Sequence, residues 1–492
     1  MEQQVATVAT NAFKLAVFRI AYCLVLLLEV KQIFFFRSLI FSDSSFISLS
    51  LLTDLMLLWG AVLLLLLVGW FTRMAAILNY TLSVFIIWQM PAFKYHLDFI
   101  MTSVNFLLLF FPVSVRLSVD EYRTRNSEEQ QQYRISNFNV WLLVVLGLGL
   151  VYFDSAIQKL DSPMWRQGWG FWVPSSMPVN VITNLSWLLN YKAIAQVIGY
   201  GVLVFEIAFI FLIWFRPFRW ILVITGIGLH VGIAILYPIP HFALLMLTLY
   251  IPLLPESIWE KLKRRYQNLA YSASAISKTN EAKPVRAGIG KRTAFILIAY
   301  FCLGQLMCIT VAPIISKGLQ NTLVEKFLTS VQYGFRPFYF INQKFLGIVS
   351  HDIFLDKHFA GYNYIVNIRY LGKNGQTIWL PLYKKTGQPT GYNSGRIWTK
   401  WAYRITGPQT EAESFEEGVR SFTAFWAQQN NIALDNARFE IWLKKMADTQ
   451  NWKQDFLTTQ MQQPWKKAGW AQWQNNQMEL QVIYFQPNKI MR

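Results

Sequence analysis

The sequence predicts an α-helical multi-pass membrane bundle followed by a mostly β domain with one or two helices. Of the 492 residues, 54% are hydrophobic and only 15% are charged, which is too apolar for a soluble protein of average composition. Apolar runs long enough to cross a bilayer recur over roughly the first 315 residues. From about residue 317 the chain becomes more polar, and apolar residues begin to alternate as they do in strands.

A membrane-spanning helix needs about 20 mostly apolar residues, and nine segments approach or reach that length. The seventh and eighth are separated only by Pro238-Ile239-Pro240, which predicts a tight hairpin between them. The predicted spans are 12–34, 47–70, 73–91, 96–116, 138–160, 193–215, 219–238, 240–255 and 291–315.

The net charge of +18 would suit nucleic-acid binding, but in a membrane protein it more often reflects cytoplasmic loops rich in Lys and Arg. If the N-terminus is cytoplasmic, the inside loops carry most of these residues. The outside loops before the last span then carry only Arg37, Lys94, Arg166 and Lys192. We therefore expect a cytoplasmic N-terminus, an extracytoplasmic C-terminal domain, the lipid bilayer as partner and no nucleic acid.

These patterns divide the chain into four regions. Residues 1–259 hold spans one to eight, and residues 260–290 form a basic cytoplasmic linker. Residues 291–316 form the last transmembrane helix, and residues 317–492 form the extracytoplasmic β-rich domain. The three cysteines all lie in apolar runs, so neither a disulfide framework nor zinc-ligand spacing is available.

The C-terminal region carries clear local signals. Asn374-Gly375 between two β-rich runs predicts a hairpin. Thr410 and Glu413 have the spacing of a capping box ahead of a helical apolar pattern. The alternating residues of 439–443 and 480–484 predict two further strands.

The segment 161–192 is rich in tryptophan and is predicted to be an outside loop. Tryptophan favours the boundary between water and lipid. We therefore expect this loop to lie on the membrane surface.

Lys159 ends the long apolar run of the fifth span. An ammonium group costs several kcal/mol in hydrocarbon, so this lysine either reaches a polar boundary or has a function. Burial also favours the neutral amine, which is a base. Lys159 is therefore a candidate catalytic base.

Glu29, His96 and His241 are predicted to lie near the same outer end of the bundle as Lys159. One outward-facing pocket built from several helices would explain this grouping. Alternatively, each side chain reaches the headgroups separately. The sequence leaves both interpretations open.

Glu206, His230 and Arg19 lie deeper within predicted spans, and Glu206 with Arg19 is one possible pair. His230 with His241 is a weak metal signal without a third ligand, so no metal is expected. The histidines of Ser350–His358 suggest either a catalytic loop or, as we favour, a polar surface turn.

The segment from Tyr152 to Asp161, followed by Trp165, resembles the lysine segment of the vitamin K-dependent gamma-glutamyl carboxylases. It is also similar to that of their bacterial relatives, the horizontally transferred transmembrane (HTTM) domain proteins. The resemblance extends in order and spacing over most of the chain. It includes Phe205-Glu206, His230, Ser118-Val119-Asp120, the segment 252–259 and the part of the outer domain from Gly347 to Phe354.

The resemblance implies that Lys159 is the base that deprotonates a vitamin K hydroquinone-like quinol. It also implies that His230, His241 and Phe242 are cofactor-binding. Oxygen and carbon dioxide would be co-substrates, and no metal is implied. One departure is Val115-Arg116-Leu117, which stands where the carboxylases have a histidine that assists catalysis.

Two functions follow from the sequence. The first is a lyase of the bacterial inner membrane that carboxylates a secreted peptide or protein, or performs related strong-base chemistry, using a reduced quinone. The second is a non-enzymatic membrane maturation or assembly factor for a secreted partner. A transporter is less favoured, because the chain has no clear internal repeat.

Overall fold

The computed structural model describes residues 2–42, 47–125, 133–135, 137–271, 285–287, 290–309, 322–447 and 451–482. Helices dominate the first 341 residues, and a β-sheet dominates the C-terminal part. The helices of the first part are α1 Glu2–Phe35, α2 Arg37–Ile40, α3 Leu49–Val68, α4 Thr72–Trp88, α5 His96–Leu108, α6 Val119–Arg125, α7 Asn137–Val144, α8 Leu150–Asp161, α9 Pro163–Arg166, α10 Trp172–Ser175, α11 Ser186–Leu189, α12 Lys192–Leu212, α13 Arg216–Leu236, α14 Pro240–Tyr250, α15 Glu256–Tyr271, α16 Lys291–Ile309 and α17 Leu323–Ile341. The later helices are α18 Arg396–Thr399, α19 Ala412–Gln429 and α20 Phe456–Gln462.

Within the described residues, five helices are long and apolar enough to cross a membrane, and a sixth crossing results if a bent pair counts as one span. The five are Leu49–Val68, Asn139–Asp161, Lys192–Leu212, Arg216–Leu236 and Arg292–Ile309. The predicted total of about nine is therefore not confirmed. The third and fourth predicted spans correspond to the shorter helices α4 and α5, of 17 and 13 residues.

The eighth predicted span, 240–255, ends at a sharp bend. Pro240–Leu253 and Glu256–Leu262 are bent by 88° relative to each other. Pro255 lies at the break, and proline disfavours helical backbone at the residue before it. As a result, α15 runs nearly perpendicular to α14.

Asp120 closes the turn between α3 and α4. Its carboxylate accepts hydrogen bonds from the backbone amides of Phe71, at 3.0 Å, and Thr72, at 2.9 Å. The turn also needs Gly69, which has a φ of 72° and lies against Ser118, so that a Cβ would overlap this serine. The Ser118-Val119-Asp120 segment therefore has a local structural role at the start of α4.

A five-stranded antiparallel sheet forms the C-terminal domain, with strand order β4-β3-β5-β6-β7. The strands are β3 Tyr364–Leu371, β4 Thr377–Trp379, β5 Arg438–Lys445, β6 Trp465–Gln474 and β7 Gln477–Val482. A separate parallel pair joins β1 Tyr133–Ile135 to β2 Val285–Ala287. The β-rich character of this region is confirmed, although within its described part four helices, α17 to α20, accompany the sheet.

Several local predictions for this domain can be compared with the structure. The Asn374-Gly375 hairpin is confirmed by the antiparallel pairing of β3 with β4, and the strand through residues 439–443 is confirmed as β5. The helix after Thr410 is confirmed as α19. Its N-cap is Glu411, however, without a side-chain cap, so the predicted capping box is wrong. Of the predicted strand 480–484, β7 covers the first part, and Tyr484 lies outside the described residues.

The tryptophan-rich segment 161–192 packs between the bundle and the sheet domain. Trp165, Trp169 and Trp172 are buried, and Trp172 packs against Phe456 of α20 with ring centroids 5.4 Å apart. The prediction that this segment lies on the membrane surface is therefore wrong for these three residues. Sequence could not reveal this, because part of the covering surface comes from residues roughly 190 to 280 positions later, such as Phe354 and Phe456. We call this end of the bundle the domain face and the opposite end the far face.

Candidate functional site

A buried ion pair joins α8 to α12, two neighbouring helices of the candidate site. Lys159 near the end of α8 donates to both carboxylate oxygens of Glu206 in α12, at 2.5 and 2.7 Å. The two residues are only 4% and 6% exposed. The Lys159 ammonium also lies 4.7 Å from the ring centroid of Trp165, close enough for a cation–π contact. The lysine is therefore held by partners inside the protein and does not reach out to the headgroups.

Tyr152 connects this region with the next two helices. Its hydroxyl lies 2.6 Å from His230 Nε2 on α13 and 2.8 Å from the Tyr250 hydroxyl on α14. Gly226, one turn before His230, lies against the Tyr250 ring, so that a Cβ there would overlap it. The absence of a side chain at position 226 therefore allows Tyr250 to reach Tyr152.

His230 has one ring nitrogen with a partner and one without. Nδ1 is buried and has no hydrogen-bond partner among the described residues. Burying an unsatisfied polar group is unfavourable, so this atom is a candidate contact for a ligand. Phe242 packs at 6.1 Å from the His230 ring. We call Tyr152, Lys159, Glu206, His230, Phe242 and Tyr250 the lysine cluster.

Aromatic rings surround this cluster. Phe205 and Phe209 of α12 pack edge-on against Tyr152, with centroids 5.4 and 5.1 Å away. Apolar walls with a few convergent polar groups are typical of small-molecule sites. Residues capable of carrying protons are therefore held together in apolar, aromatic surroundings.

A second buried ion cluster joins the bundle to the C-terminal domain. Arg396, at the start of α18, donates to Glu29 of α1 and lies 3.0 Å from Asp98 of α5. His241 Nδ1 lies 2.6 Å from the other carboxylate oxygen of Glu29. Burial alone would lower the pKa of Arg396, but Asp98 and Glu29 raise it above its ordinary value. We call these four residues the arginine cluster.

A third polar group lies where the segment after α17 meets α8. The His351 backbone amide donates to Asp154 of α8, and the His351 ring lies 5.5 Å from that of His96. Burial, with a further contribution from His96, lowers the pKa of His351 to about 3. His351 is 3% exposed, so the preferred interpretation of its segment as a surface turn is wrong for this residue.

The structure therefore separates the residues that the sequence grouped together. Lys159, His230 and Phe242 lie in the lysine cluster, whereas His241 lies in the arginine cluster with Glu29. Instead of one outward-facing pocket or independent contacts with headgroups, the titratable residues form three internal clusters. Each cluster has partners distant in sequence.

The possible pair of Glu206 with Arg19 is also wrong. Arg19 donates to the backbone carbonyls of Val113 and Leu117, both at 2.5 Å, and Glu206 pairs with Lys159. Sequence reasoning did not identify Tyr250 or Arg396 at all. Gly226, one turn before His230, could have indicated that a large side chain such as that of Tyr250 packs there. No local sequence pattern indicates Arg396, because its carboxylate partners are about 300 or more positions away.

Two ligand classes can be considered for these clusters. Among the described residues, no group of three or more His, Cys, Asp or Glu side chains is placed to hold a metal ion. A bound quinone would instead contact the lysine cluster through Phe242 and through His230, whose Nδ1 atom has no hydrogen-bond partner among the described residues.

No protein-family model, curated protein or solved structure matches this chain.

Proposed function

We propose that this chain is a quinol-dependent membrane enzyme with Lys159 as its base. Its reaction would be carboxylation, or related strong-base chemistry, of a secreted peptide or protein. The observation that carries the proposal is the buried Lys159–Glu206 pair beside a histidine whose Nδ1 atom has no partner among the described residues. The resemblance of the lysine segment to gamma-glutamyl carboxylases and HTTM proteins gives the reaction class.

Each residue of the lysine cluster has a defined task in this proposal. Glu206 holds the amine in place and would pair with the ammonium that forms when Lys159 takes a proton from the ligand, so that this positive charge is not buried alone. Tyr152 fixes His230 through Nε2 and leaves Nδ1 to contact the ligand. The aromatic walls exclude water. A bound reduced quinone would supply, with oxygen, the strong base needed to abstract an unreactive proton before carbon dioxide is added.

The proposed location is a bacterial inner membrane, with about nine crossings, a cytoplasmic N-terminus and an extracytoplasmic C-terminal domain. The distribution of Lys and Arg between alternate loops supports this orientation. Apolar helices support insertion into a membrane. The secreted substrate would then approach from the domain face.

Quinol epoxidation by detergent-solubilised full-length protein tests the proposal without a known peptide substrate. Reduced naphthoquinone and oxygen are supplied, and the epoxide is measured by mass spectrometry. We expect epoxide from the wild type and none from Lys159→Ala. Lys159→Arg is the sharper variant, because arginine can still pair with Glu206 but cannot act as a base near neutral pH. Full activity of Lys159→Arg would show that the base assignment is wrong.

A second candidate is a non-enzymatic maturation or assembly factor for a secreted partner. The observation that favours it is that Lys159 and Glu206 satisfy each other, as a purely structural pair would. The exchange variant Lys159→Glu with Glu206→Lys separates the two functions. If the pair is structural, the exchanged residues still pair, and partner maturation in cells survives. If Lys159 is the base, the exchange moves the amine to position 206, and turnover is lost.

A further inference from the structure

A charged cavity lies at the far face of the bundle, well away from the lysine cluster. It has a volume of about 660 Å³ and is lined by residues from the starts of α1, α7 and α13 and from the turn before α15. Lys14 of α1 lines it, whereas Gln32 of the same helix contacts Ser394 at the domain face. At 1.5 Å per residue these two positions are roughly 27 Å apart, which is close to the thickness of a bilayer core.

The basic residues of this cavity outnumber its acidic ones. Lys14 is paired with Glu256 at 2.5 Å, and Arg216 and Arg219 also line the cavity. In the described part of the chain, neither arginine forms an ion pair with an acidic side chain. Two positive charges are thus left to attract an anion.

The arginines are also held in place. Arg219 donates to the carbonyls of Ile213 and Trp214, at 3.2 and 3.3 Å, and its guanidinium lies 5.0 Å from the ring centroid of Trp141. Arg216, the first residue of α13, is exposed beside it. A fixed and an exposed guanidinium on one wall suit a phosphate group, which arginine binds through paired hydrogen bonds.

The surroundings indicate where such a phosphate would come from. Next to the cavity, Trp214, Phe215 and Ile221 are exposed apolar side chains, as expected for a surface that meets acyl chains. Tryptophans also line the cavity, and this residue type favours the headgroup level of a membrane. A soluble anion would not require these apolar neighbours.

The helix α15 extends the same surface. It turns by 88° away from α14 directly after the cavity, which lays it across the end of the bundle. Ile258 and Leu262 are exposed apolar residues, and Lys261, Arg264 and Arg265 are exposed basic ones. An amphipathic basic helix lying in the membrane plane is typical of binding to anionic lipid.

The geometry points to a binding site for the headgroup phosphate of an anionic phospholipid in the cavity formed by Lys14, Arg216, Arg219 and the Pro252–Ser257 turn. Helix α15 is its basic rim along the membrane surface. This inference concerns the far face and is independent of the function proposed for the lysine cluster.

Native mass spectrometry of the detergent-purified full-length protein tests this site. The probes are phosphatidylglycerol, phosphatidylcholine with the same acyl chains, and inorganic phosphate. We expect selective retention of phosphatidylglycerol and no displacement by millimolar phosphate. Removing one basic residue near a membrane surface weakens binding by about fivefold, so Arg216→Gln with Arg219→Gln should weaken it roughly thirtyfold.

Two further variants make the result decisive. Arg73→Gln removes one positive charge from the start of α4, on the same face but outside the cavity, and it should retain lipid. Arg216→Lys with Arg219→Lys keeps the charge and should bind better than the glutamine variant, which excludes misfolding as the cause. A loss of about fivefold in Arg73→Gln, as expected for any single charge near the membrane, would overturn the site in favour of general charge attraction. Displacement by phosphate would make it a soluble-anion site, and unchanged binding in the double glutamine variant would refute it.

Discussion

The lysine cluster and the arginine cluster are both buried, and both join helices through ion pairs, yet they differ in how completely their polar atoms are satisfied. Arg396 is held by Glu29 and Asp98, and Glu29 is also held by His241. In the lysine cluster, His230 keeps a buried ring nitrogen without a partner among the described residues. A saturated cluster stabilises an interface, whereas an unsaturated one leaves an atom available to a ligand.

The two clusters also connect different parts of the chain. The arginine cluster links α1, α5 and α14 to the C-terminal domain through a residue about 300 or more positions later than its carboxylate partners. The lysine cluster is contained within α8, α12, α13 and α14. The first therefore holds the two domains together, and the second lies entirely inside the bundle.

Arg396→Met should have the largest effect on stability. It leaves the carboxylates of Glu29 and Asp98 buried without their cation, and breaking a buried ion pair costs about 3–5 kcal/mol. The measurement is the thermal unfolding midpoint of the detergent-solubilised protein. Arg404→Met is the matched control, because Arg404 donates to the carbonyls of Ala92 and Lys94, both at 2.6 Å, and forms no ion pair with a carboxylate among the described residues. If both variants lose equal stability, the carboxylates do not set the strength of the interface.

Lys159→Met should cost about 3 kcal/mol, because one buried carboxylate, Glu206, loses its partner. Adding Glu206→Leu should restore most of the loss, since an apolar pair of similar volume often replaces a buried ion pair at little cost. Quinol epoxidation should nevertheless stay absent in the double variant. Recovery of both stability and epoxidation would contradict a catalytic role for the pair.

Stability should fall as the pH is lowered from about 6 to 4, partly through His351. Its folded pKa is about 3 and its ordinary value is 6.5, so in this range the unfolded chain binds a proton that the folded protein does not. The free energy of unfolding then changes by about 1.4 kcal/mol per pH unit for this one group. Thermal midpoints of His351→Gln should depend less on pH than those of the wild type. An unchanged pH slope would show that His351 is not buried in its neutral form.

Tyr152→Phe should have the smallest effect on stability, about 1 kcal/mol for the lost hydroxyl contacts with His230 and Tyr250. Its effect on quinol epoxidation should be larger, because His230 loses the partner that orients its ring. Tyr237→Phe is a control, since Tyr237 bonds to Ser175 outside both clusters at 2.7 Å. A similar loss of turnover in both variants would argue against a specific role for Tyr152.

Local patterns predicted much of the secondary structure. The hairpin at Asn374-Gly375 and the strand around Ile441 follow from turn chemistry and alternation, which act over a few residues. The capping box at Thr410 was wrong because a cap depends on the exact backbone position at which the helix begins. The count of about nine spans is not confirmed, because an apolar run indicates burial but not whether a bilayer or other helices cover it, as α5 illustrates.

The sequence by itself determined which residues are costly in free energy to bury in an apolar environment without a partner: Lys159, Glu206, His230 and Glu29. An ionisable group within an apolar run must find a partner, and this requirement can be read from one position and its neighbours. Only the tertiary structure decided the partners, placing Lys159 with Glu206, and Glu29 with His241 and Arg396. The physical reason is that charge pairing and hydrogen bonding act over a few ångströms, and only the packing of helices and sheet brings residues up to 367 positions apart within that range.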